Sequence, residues 1–324
     1  MDIKNLLICD EVNEKIVQNL RDAGLQVDVA SDITAQRLVT VVANYQAVLI
    51  RSRTTITRQI IEAGKKLRLI ARAGVGVDNV DVEAASEHSV LVINAPNGNT
   101  VSACELTCAH ILSISRNMYQ ATKSLKDGVW NRKHFVGTEV AQKTLGIVGL
   151  GRIGCEVGKR MKAFEMQIIG YDPFTPKSVV EPLGIEFVSL EEIWRRSDYI
   201  SLHVPLIPAT KNLVNKTTLA KCKTGVMIIN CARGGIVDEQ ALLEALVSRH
   251  VHAAALDVFE EEPPRNDDLL RNPYLNPTPH LGASTKDGQR RVGEEIVDEI
   301  IKLNKGVKIP GAVNGAKLDI PFLK

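Results

Sequence analysis

The sequence predicts an α/β fold with two doubly wound parallel sheets. In both halves of the 324-residue chain, short apolar runs rich in β-branched residues alternate with amphipathic stretches. This alternation is typical of parallel sheets that are covered by helices on both faces. The length suits about two domains, and the sequence contains no internal repeat that would indicate a solenoid.

The first half contains a series of predicted strands with helical patterns between them. One such pattern, Val12–Ala23, is followed by Gly24, a residue that commonly stops a helix. Two polar loops, Arg51-Ser52-Arg53 and Arg72-Ala73-Gly74, follow strands at the positions where doubly wound sheets place ligands. The predicted strands are Leu6–Cys9, Gln26–Val29, Ala47–Ile50, Leu67–Ala71 and Val90–Ile93.

A turn-rich segment at 94–99 is predicted to link the two halves. One long helix is expected after it, from about Thr100 to Lys126, with Ser102 and Glu105 as a capping box. The αβ alternation then resumes and ends in a predicted helix at Lys286–Asn304. The predicted strands include Gln167–Tyr171, Tyr199–Leu202, Val226–Asn230 and His252–Leu256.

The most specific motif is a glycine-rich turn that follows the apolar run beginning at Thr144. It reads Gly149-x-Gly151-x-x-Gly154, and Asp172 ends the next apolar run eighteen residues later. The first glycine permits a tight turn, the second lets the backbone approach a pyrophosphate, and the third lets the helix pack closely on the strand. The Asp172 carboxylate can accept hydrogen bonds from the adenosine ribose hydroxyls, and its charge would repel a 2′-phosphate. The motif therefore predicts a Rossmann-type domain that binds NAD through a helix N-terminus.

Composition and charge narrow the range of partners. The net charge is +2, which gives no general attraction to nucleic acid or to a membrane surface. No apolar run reaches the roughly 18 residues of a membrane span, and the first residues lack the pattern of a signal peptide. The six cysteines are scattered, and no cluster has metal-ligand spacing. We expect a cytoplasmic protein with no metal.

Three further loops complete a pattern that resembles the D-specific 2-hydroxyacid dehydrogenases. They are Asn230–Gly235, Asp257–Pro263 and Pro279–Ser284. In the earlier part of the chain the resemblance extends to Arg51-Ser52, Arg72-Ala73-Gly74, Asp78-Asn79-Val80-Asp81, Pro96-Asn97-Gly98-Asn99 and Glu105-Leu106-Thr107. It covers nearly the whole chain, and it is closest to the members that oxidise D-3-phosphoglycerate to 3-phosphohydroxypyruvate in the serine pathway.

The resemblance implies a discontinuous architecture. A Rossmann-type NAD domain would occupy 97–282, and residues 1–96 and 283–324 would form a flavodoxin-like substrate-binding domain. It also implies a homodimer built largely through the NAD domains. Many relatives carry further C-terminal domains that sense serine. This chain stops near the point where those would start, so both a short form and a truncated one stay open.

The resemblance assigns catalysis to Arg233, Glu262 and His280. His280 would exchange a proton with the substrate hydroxyl, because histidine titrates near neutrality. Glu262 would bind its far nitrogen and fix the tautomer. Arg233 would bind the substrate carboxylate with its planar fork of donors. Each residue alone would read as a structural or solvated side chain, and only their ordered spacing favours the catalytic interpretation.

Other contacts follow from the same resemblance. Beyond the fingerprint residues, the cofactor contacts are Val75, Arg152, Ile153, Val204, Cys231, Ala232, Arg233, Asp257, His280 and Ala283. The substrate contacts are Arg51, Arg72, Ala73, Gly74, Asn99, Arg132 and Lys133. Arg53 is a weaker candidate, since relatives often have a small residue there. This surplus of basic side chains favours a small phosphorylated hydroxy acid as substrate.

Two other functions stay open. A sister enzyme that acts on glyoxylate, hydroxypyruvate or another 2-keto acid would keep the fold and the three catalytic residues and differ in its pocket. An NAD(H)-sensing corepressor or scaffold could also retain these residues. Assays of a panel of 2-hydroxy and 2-keto acids, in which NADH absorbance is monitored, would distinguish these three functions.

Overall fold

The computed structural model describes residues 1–323, and the chain divides into two compact units. Unit 1 consists of Met1–Asn99 and the chain from Thr285 onward, and unit 2 is the contiguous segment Thr100–Ser284. These units begin and end within three residues of the boundaries expected from the sequence. The assignment of substrate and cofactor to the separate units stays a prediction.

Within residues 1–323 the regular elements are short, as expected for sheets with connecting helices. The strands are β1 (Asn5–Ile8), β2 (Gln26–Val29), β3 (Ala47–Ile50), β4 (Leu69–Arg72), β5 (Leu91–Asn94), β6 (Thr144–Val148), β7 (Gln167–Tyr171), β8 (Glu186–Phe187), β9 (Tyr199–Leu202), β10 (Val226–Asn230), β11 (Val251–Leu256) and β12 (Leu275–Pro277). The α-helices are α1 (Glu14–Asp22), α2 (Ala35–Val41), α3 (Arg58–Ala63), α4 (Val82–Glu87), α5 (Thr100–Ser115), α6 (Met118–Lys126), α7 (Arg152–Lys162), α8 (Lys177–Val180), α9 (Leu190–Arg196), α10 (Lys216–Leu219), α11 (Glu239–Val247), α12 (Asp267–Leu270) and α13 (Lys286–Asn304). Short 3₁₀ turns lie at Val42–Asn44, Arg132–Phe135, Glu181–Leu183, Gly315–Lys317 and Pro321–Leu323.

Unit 1 has a five-stranded parallel sheet in the order β2-β1-β3-β4-β5, which is the flavodoxin-like order. Side chains alternate between its faces. Leu6 and Ile8 join a core with α1 and α13, whereas Leu7 joins a core with α2, α3 and α4. Both faces of the unit 1 sheet are therefore buried in apolar cores. This burial explains why the sequences of its strands are continuous apolar runs.

The chain after α13 returns to the edge of β5. The side chain of Asn314 accepts a hydrogen bond from Val92 N at 2.8 Å and donates one to the Val90 carbonyl at 2.9 Å. Gly311 N donates to the Glu299 carboxyl at 3.0 Å, and Gly311 O accepts from Asn94 N. Unit 1 is thus completed by residues from both ends of the sequence.

Unit 2 has a seven-stranded parallel sheet in the order β12-β11-β10-β9-β6-β7-β8. The chain reverses direction beside β6, which is the switch point of a Rossmann-type sheet. Two apolar cores lie on its faces. One is centred on Ile228 and Leu256, and the other on Ile147 and Ile229. The predicted fold class, two doubly wound parallel sheets of Rossmann-type and flavodoxin-like order, is confirmed.

The expected helix from Thr100 to Lys126 is wrong, because the chain forms two helices there. Asn117 adopts a left-handed conformation with φ 50° between α5 and α6, a conformation that asparagine tolerates better than most residues. The capping box at Ser102 is also wrong. Helix α5 begins at Thr100, so Ser102 lies inside its first turn, where it is buried.

The other predicted elements were placed correctly to within one or two residues. Gln26–Val29 and Ala47–Ile50 match the observed strands, and α13 begins and ends where predicted. Differences of this size are normal at the ends of elements. In the part of the chain that the structure describes, no helix is both long and apolar enough to cross a membrane.

Candidate active site

The glycine-rich turn connects β6 to α7, and two of its glycines are required by the protein's own packing. Gly149 has φ 98°, and a Cβ atom there would lie 2.5 Å from the carbonyl oxygen of His203. A Cβ atom on Gly154 would lie 2.1 Å from the carbonyl oxygen of Gly149. Neither contact can be relieved, because the opposing atoms belong to the backbone.

Gly151 differs from its neighbours, since a Cβ atom there would meet nothing within 4 Å. The open space lies at the start of α7, an 11-residue helix in which Gly151 is the N-cap and no side chain caps the first turn. The turn includes Arg152 and Ile153. Free N–H groups and the helix dipole favour an anion at such a position. The arrangement fits a pyrophosphate group.

Asp172 follows β7 and is held beside this turn. Its Oδ2 atom accepts a hydrogen bond from Leu150 N at 2.8 Å, and its Oδ1 atom accepts from Phe174 N at 2.8 Å and Thr175 N at 3.1 Å. Partial burial acts to raise the pKa of Asp172, but these backbone donors outweigh it and lower the pKa. An ionised carboxylate has about four acceptor positions. Asp172 therefore fits the ribose hydroxyls of a dinucleotide.

The remaining predicted cofactor contacts of unit 2 follow the carboxyl ends of its strands. Val204 comes after β9, Cys231 and Ala232 after β10, Asp257 directly after β11, and Ala283 after β12. Burial raises the pKa of the Cys231 thiol to about 12, so it is a neutral thiol at physiological pH. Val75 belongs to unit 1, where its carbonyl accepts a hydrogen bond from the Asn94 side chain at 2.5 Å.

His280 and Glu262 form a direct pair. The Nδ1 atom of His280 lies 2.7 Å from Oε2 of Glu262, and Oε1 of the same carboxylate accepts a hydrogen bond from Phe259 N at 3.2 Å. A carboxylate beside Nδ1 fixes the proton on that nitrogen. The Nε2 atom is then the one that can accept or donate a proton. His280 has φ 54°, an uncommon conformation for a non-glycine residue.

Arg233 lies in the loop after β10, which packs directly on the loop that carries Glu262. Its Nη1 atom donates to the Ala232 carbonyl at 2.6 Å, and its own carbonyl accepts from the Asn230 side chain at 2.8 Å. A Cβ atom on Gly234 would lie 1.6 Å from the carbonyl oxygen of Phe259. Gly234 therefore allows the two loops to approach. This role could not be read from the sequence, because it depends on a neighbour 25 residues away.

Asp257 is fully buried, and its oxygen atoms bind the turn that contains His280. The Oδ1 atom accepts from Leu281 N at 2.7 Å and from the Thr278 hydroxyl at 2.6 Å, and Oδ2 accepts from Gly282 N at 2.8 Å. The backbone carbonyl of Asp257 also accepts from His280 N at 2.9 Å. The sequence indicated Asp257 only as a cofactor contact, and its hydrogen bonds to this turn were not predicted.

A second support for the Glu262 loop was also missed. Glu260 N donates to the Glu239 carboxyl at 2.7 Å, and Glu239 N donates to the Glu260 carboxyl at 3.2 Å. Burial is the main reason why the pKa of Glu239 is raised. The two residues are 21 positions apart, and no sequence pattern indicated their pairing.

Arg51 and Arg53 follow β3 in unit 1 and have different surroundings. The Arg51 guanidinium donates to the Glu11 carbonyl at 3.0 Å, and its backbone N–H donates to the buried carboxylate of Asp10 at 2.5 Å. Arg53 bonds to the carbonyls of Cys9 and Ser31 and forms an ion pair with Asp10 at 3.1 Å. Arg53 thus connects neighbouring loops of unit 1, and its role as a weaker substrate contact stays a prediction.

The other predicted substrate contacts of unit 1 lie at β4 and at the end of the first segment. Arg72 ends β4, Ala73 N donates to the Ile50 carbonyl at 2.8 Å, and a Cβ atom on Gly74 would lie 1.5 Å from Arg72 Nη1. Gly74 thus leaves room for the Arg72 side chain. The side-chain oxygen of Asn99 is buried and has no hydrogen-bond partner among residues 1–323.

Arg132 and Lys133 belong to unit 2, where they begin the exposed 3₁₀ turn after α6. The structure places the predicted catalytic residues and most predicted cofactor contacts at one edge of the unit 2 sheet. It also finds no group of three or more histidine, cysteine, aspartate or glutamate residues suited to a metal ion in the described chain.

Comparison with known proteins agrees with this geometry. The model of the family described as "D-isomer specific 2-hydroxyacid dehydrogenase, NAD binding domain" matches residues 108–282, more than half of the chain. The chain is 47% identical over 321 residues to D-3-phosphoglycerate dehydrogenase of Rattus norvegicus and 46% identical over 310 residues to that of Methanocaldococcus jannaschii. These alignments cover 99% and 95% of this chain but only 60% and 59% of the relatives.

Solved structures show the same fold. The glyoxylate reductase from Paecilomyes thermophila is 27% identical with a TM-score of 0.87, and the match covers 94% of this chain and 96% of that one. The family match includes the glycine-rich turn, Asp172, Arg233, Glu262 and His280. This chain belongs to the D-isomer-specific 2-hydroxyacid dehydrogenase family, and its cofactor is NAD.

Proposed function

We propose that the protein oxidises D-3-phosphoglycerate to 3-phosphohydroxypyruvate with NAD, the first step of the phosphorylated pathway to L-serine. The observation that carries the reaction type is the 2.7 Å pair of His280 and Glu262 beside the Arg233 loop. The similarity to D-3-phosphoglycerate dehydrogenases over 99% of the chain supports the choice of substrate.

The proposed chemistry needs three actions from the protein. The guanidinium of Arg233 binds the substrate carboxylate and so orients C2. The Nε2 atom of His280 takes the proton of the 2-hydroxyl, and Glu262 stabilises the imidazolium that results. The glycine-rich turn and Asp172 would hold NAD, which when bound would supply the acceptor for the hydride from C2. In the reverse direction His280 returns its proton to the carbonyl oxygen.

The proposed phosphate specificity rests on basic side chains beyond Arg233. Arg51, Arg72, Arg132 and Lys133 are assigned to substrate binding by resemblance, and none of them is needed for a carboxylate that Arg233 already binds. A phosphate with charge near −2 gains more from such side chains than a neutral hydroxyl does. Binding energy from a group remote from C2 can also help to position the reacting atoms.

The test compares kcat/KM for D-3-phosphoglycerate and for D-glycerate in the parent protein, in Arg51→Ala and in Arg132→Ala. The parent should strongly prefer the phosphorylated acid, and each variant should lose about 10- to 100-fold of that preference, as expected for a charged hydrogen bond. Arg58→Ala is the matched control, because Arg58 is a surface arginine of unit 1 that pairs with Glu87. Higher salt should weaken binding of the phosphorylated acid more.

The structural similarity to a glyoxylate reductase favours one second candidate function. That protein shares the fold with a TM-score of 0.87, so the fold cannot decide between the substrates. A parent protein that treats both acids alike and reduces glyoxylate or hydroxypyruvate faster would replace our proposal with that activity. Tight NADH binding without turnover of any 2-hydroxy or 2-keto acid would favour the corepressor or scaffold function.

We also propose that the chain forms a homodimer through unit 2. Exposed apolar side chains cluster along α6 and the segment after it, and Trp130 and Val136 are 76% and 80% exposed. A concentration of exposed apolar side chains of this kind supports an interaction site. The other members of the cluster are Met118, Tyr119, Leu125 and Val129.

Light scattering coupled to gel filtration tests the dimer. Trp130→Glu should give a monomer, whereas Val247→Glu should not, although Val247 is also an exposed apolar residue of unit 2. A parent protein that is monomeric at micromolar concentration would contradict the proposal. The cytoplasmic location and the lack of nucleic-acid and membrane partners stay predictions from composition.

A further inference from the structure

A chain of three hydrogen-bonded side chains lies behind the turn that contains His280. It consists of His110 on α5, Thr278 after β12 and Asp257 after β11. Nε2 of His110 lies 3.1 Å from the hydroxyl of Thr278, and that hydroxyl donates to Oδ1 of Asp257 at 2.6 Å. His110 is 6% exposed and Asp257 is fully buried. The proposed reaction leaves His110 and Thr278 without a role.

The direction of these hydrogen bonds follows from the atoms available. A threonine hydroxyl has one proton, and here the Asp257 carboxylate accepts it. The oxygen of Thr278 can then only accept from His110, so the proton of the His110 ring must reside on Nε2. Burial lowers the pKa of His110 and outweighs the opposing effect of the Asp257 charge. His110 therefore donates to Thr278, and Thr278 donates to Asp257.

Asp257 connects these two side chains to the turn that contains His280. Its carboxylate binds Leu281 N and Gly282 N, and its carbonyl binds His280 N. These bonds surround the left-handed backbone of His280 at φ 54°, a conformation that persists only where neighbouring contacts enforce it. A small shift of this turn would move the imidazole away from Glu262 and from the substrate hydroxyl.

We propose that His110 and Thr278 are positioning residues, which orient the Asp257 carboxylate so that it holds the His280 turn in its catalytic conformation. This inference rests on the proposed role of His280 as the acid–base. It assigns to Asp257 a function towards the protein backbone in addition to the predicted cofactor contact.

Thr278→Val tests the proposal, because it removes the hydroxyl and keeps the shape of the side chain. We expect kcat to fall roughly 10- to 100-fold, as small misplacements of reacting groups do, while KM for NAD and the dissociation constant of NADH stay near those of the parent. Thr278→Ser restores the hydroxyl and should recover most of kcat. In ¹⁵N-histidine-labelled protein, the His110 ring should show a proton on Nε2.

Ser115→Ala is the matched control. Ser115 is also buried on α5, and its hydroxyl bonds to Tyr199 at 2.8 Å, so its loss affects stability without reaching the His280 turn. It should keep the parent kcat. Equal loss of kcat in Ser115→Ala and Thr278→Val would overturn the proposal, because the effect would then be one of general stability.

Three other results would overturn it. These are a Thr278→Val protein with a kcat within about twofold of the parent, a Thr278→Ser protein as slow as Thr278→Val, and a His110 ring protonated on Nδ1 alone. A His280→Asn variant measured in parallel separates this inference from the proposed function. If His280→Asn keeps its activity, the acid–base assignment fails; if it loses activity and Thr278→Val does not, only the positioning role fails.

Discussion

Nδ1 of His280 lies 2.7 Å from Oε2 of Glu262, although the two residues are eighteen positions apart in the chain. The pair joins the loops that follow β11 and β12. The Glu262 carboxylate is held in turn by Phe259 N, and Asp257 holds the backbone of the His280 turn. The orientation of the imidazole is therefore fixed by hydrogen bonds within the protein itself.

His280→Asn should lower kcat by about 10²- to 10⁴-fold, the usual contribution of general acid–base catalysis. The affinity for NADH should change little, because the glycine-rich turn and Asp172 are untouched. Steady-state kinetics and fluorescence titration with NADH measure the two effects. His88→Asn serves as a control, since the His88 ring bonds to the Ala84 carbonyl at the end of α4 in unit 1. Near-normal turnover in His280→Asn would remove the residue from the mechanism.

Glu262→Gln should slow turnover less than His280→Asn, by roughly tenfold, because a charge-assisted hydrogen bond is about twice as strong as a neutral one. Glutamine can still accept the Nδ1 proton and so keep the tautomer, but it offers no charge to the imidazolium. Glu261→Gln is the neighbouring control, since Glu261 pairs with exposed Arg265. A Glu262→Gln variant slower than His280→Asn would contradict this division of roles.

Asp172→Ser should weaken NAD binding by about tenfold or more and narrow the preference for NAD over NADP, because the carboxylate that repels a 2′-phosphate is lost. Dissociation constants for both cofactors give the measurement. Asp198→Ser is a matched control, because Asp198 accepts a hydrogen bond from Thr144 N at 2.8 Å at the amino ends of β6 and β9, whereas Asp172 follows the carboxyl end of β7. Equal use of NAD and NADP by the parent would defeat this prediction.

Asp10→Asn should raise KM for D-3-phosphoglycerate, the proposed substrate, and lower the free energy of unfolding by about 1–3 kcal/mol. Asp10 is buried and accepts hydrogen bonds from Arg51 N and from the Thr54 hydroxyl at 2.6 Å, so it shapes the loop that presents Arg51. Activity on glycerate should change less. Urea unfolding and KM measurements on Asp10→Asn and on exposed Asp22→Asn would reveal whether the loop depends on this carboxylate.

Glu299→Gln should stabilise the protein at neutral pH but not at acidic pH. Burial raises the pKa of Glu299 from 4.5 to about 7, and its Oε2 atom has no partner among residues 1–323. Because the folded state binds the proton more tightly than the unfolded state, stability falls as pH rises through the window from 4.5 to about 7. Above that pH window, the free energy of unfolding of the variant should exceed that of the parent by on the order of 3 kcal/mol.

Thermal unfolding at pH 4.5 and at pH 8 measures this gain. Glu294→Gln on the same helix is the control, since Glu294 is paired with Arg290 near the surface. A gain of equal size at both pH values would show that the carboxyl is not titrating as a buried group.

The sequence predicted most of the fold because its local signals agreed with one another. Continuous apolar runs such as Ala47–Ile50 indicated strands buried on both faces, and the glycine-rich turn located the switch point of the unit 2 sheet. The break at Asn117 was missed, because apolar positions on both sides keep a helical spacing and only the backbone conformation of one residue ends α5.

The supporting contacts of the site could not be predicted in the same way. Arg233, Glu262 and His280 were predicted as catalytic residues from their ordered motifs. By contrast, the contacts of Gly234 with Phe259 and of Thr278 with His110 join distant parts of the chain. Such pairs have no local pattern. The two carboxylates of Glu239 and Glu260 each accept the other's backbone N–H, an arrangement that a charge pattern would have counted as repulsive.

The discontinuous construction of unit 1 has a consequence for the order of folding during synthesis. Ile296, Ile300 and Leu303 of α13 lie in the same core as Leu6 and Ile8 of β1. When the first 99 residues leave the ribosome, that face of their sheet has no α13 to cover it, and the missing helix follows almost 190 residues later. Unit 2 is contiguous and can complete its own cores before then. The second unit in the sequence is thus the first that can reach its final structure, and one face of the N-terminal sheet keeps its apolar side chains uncovered until α13 has been synthesised.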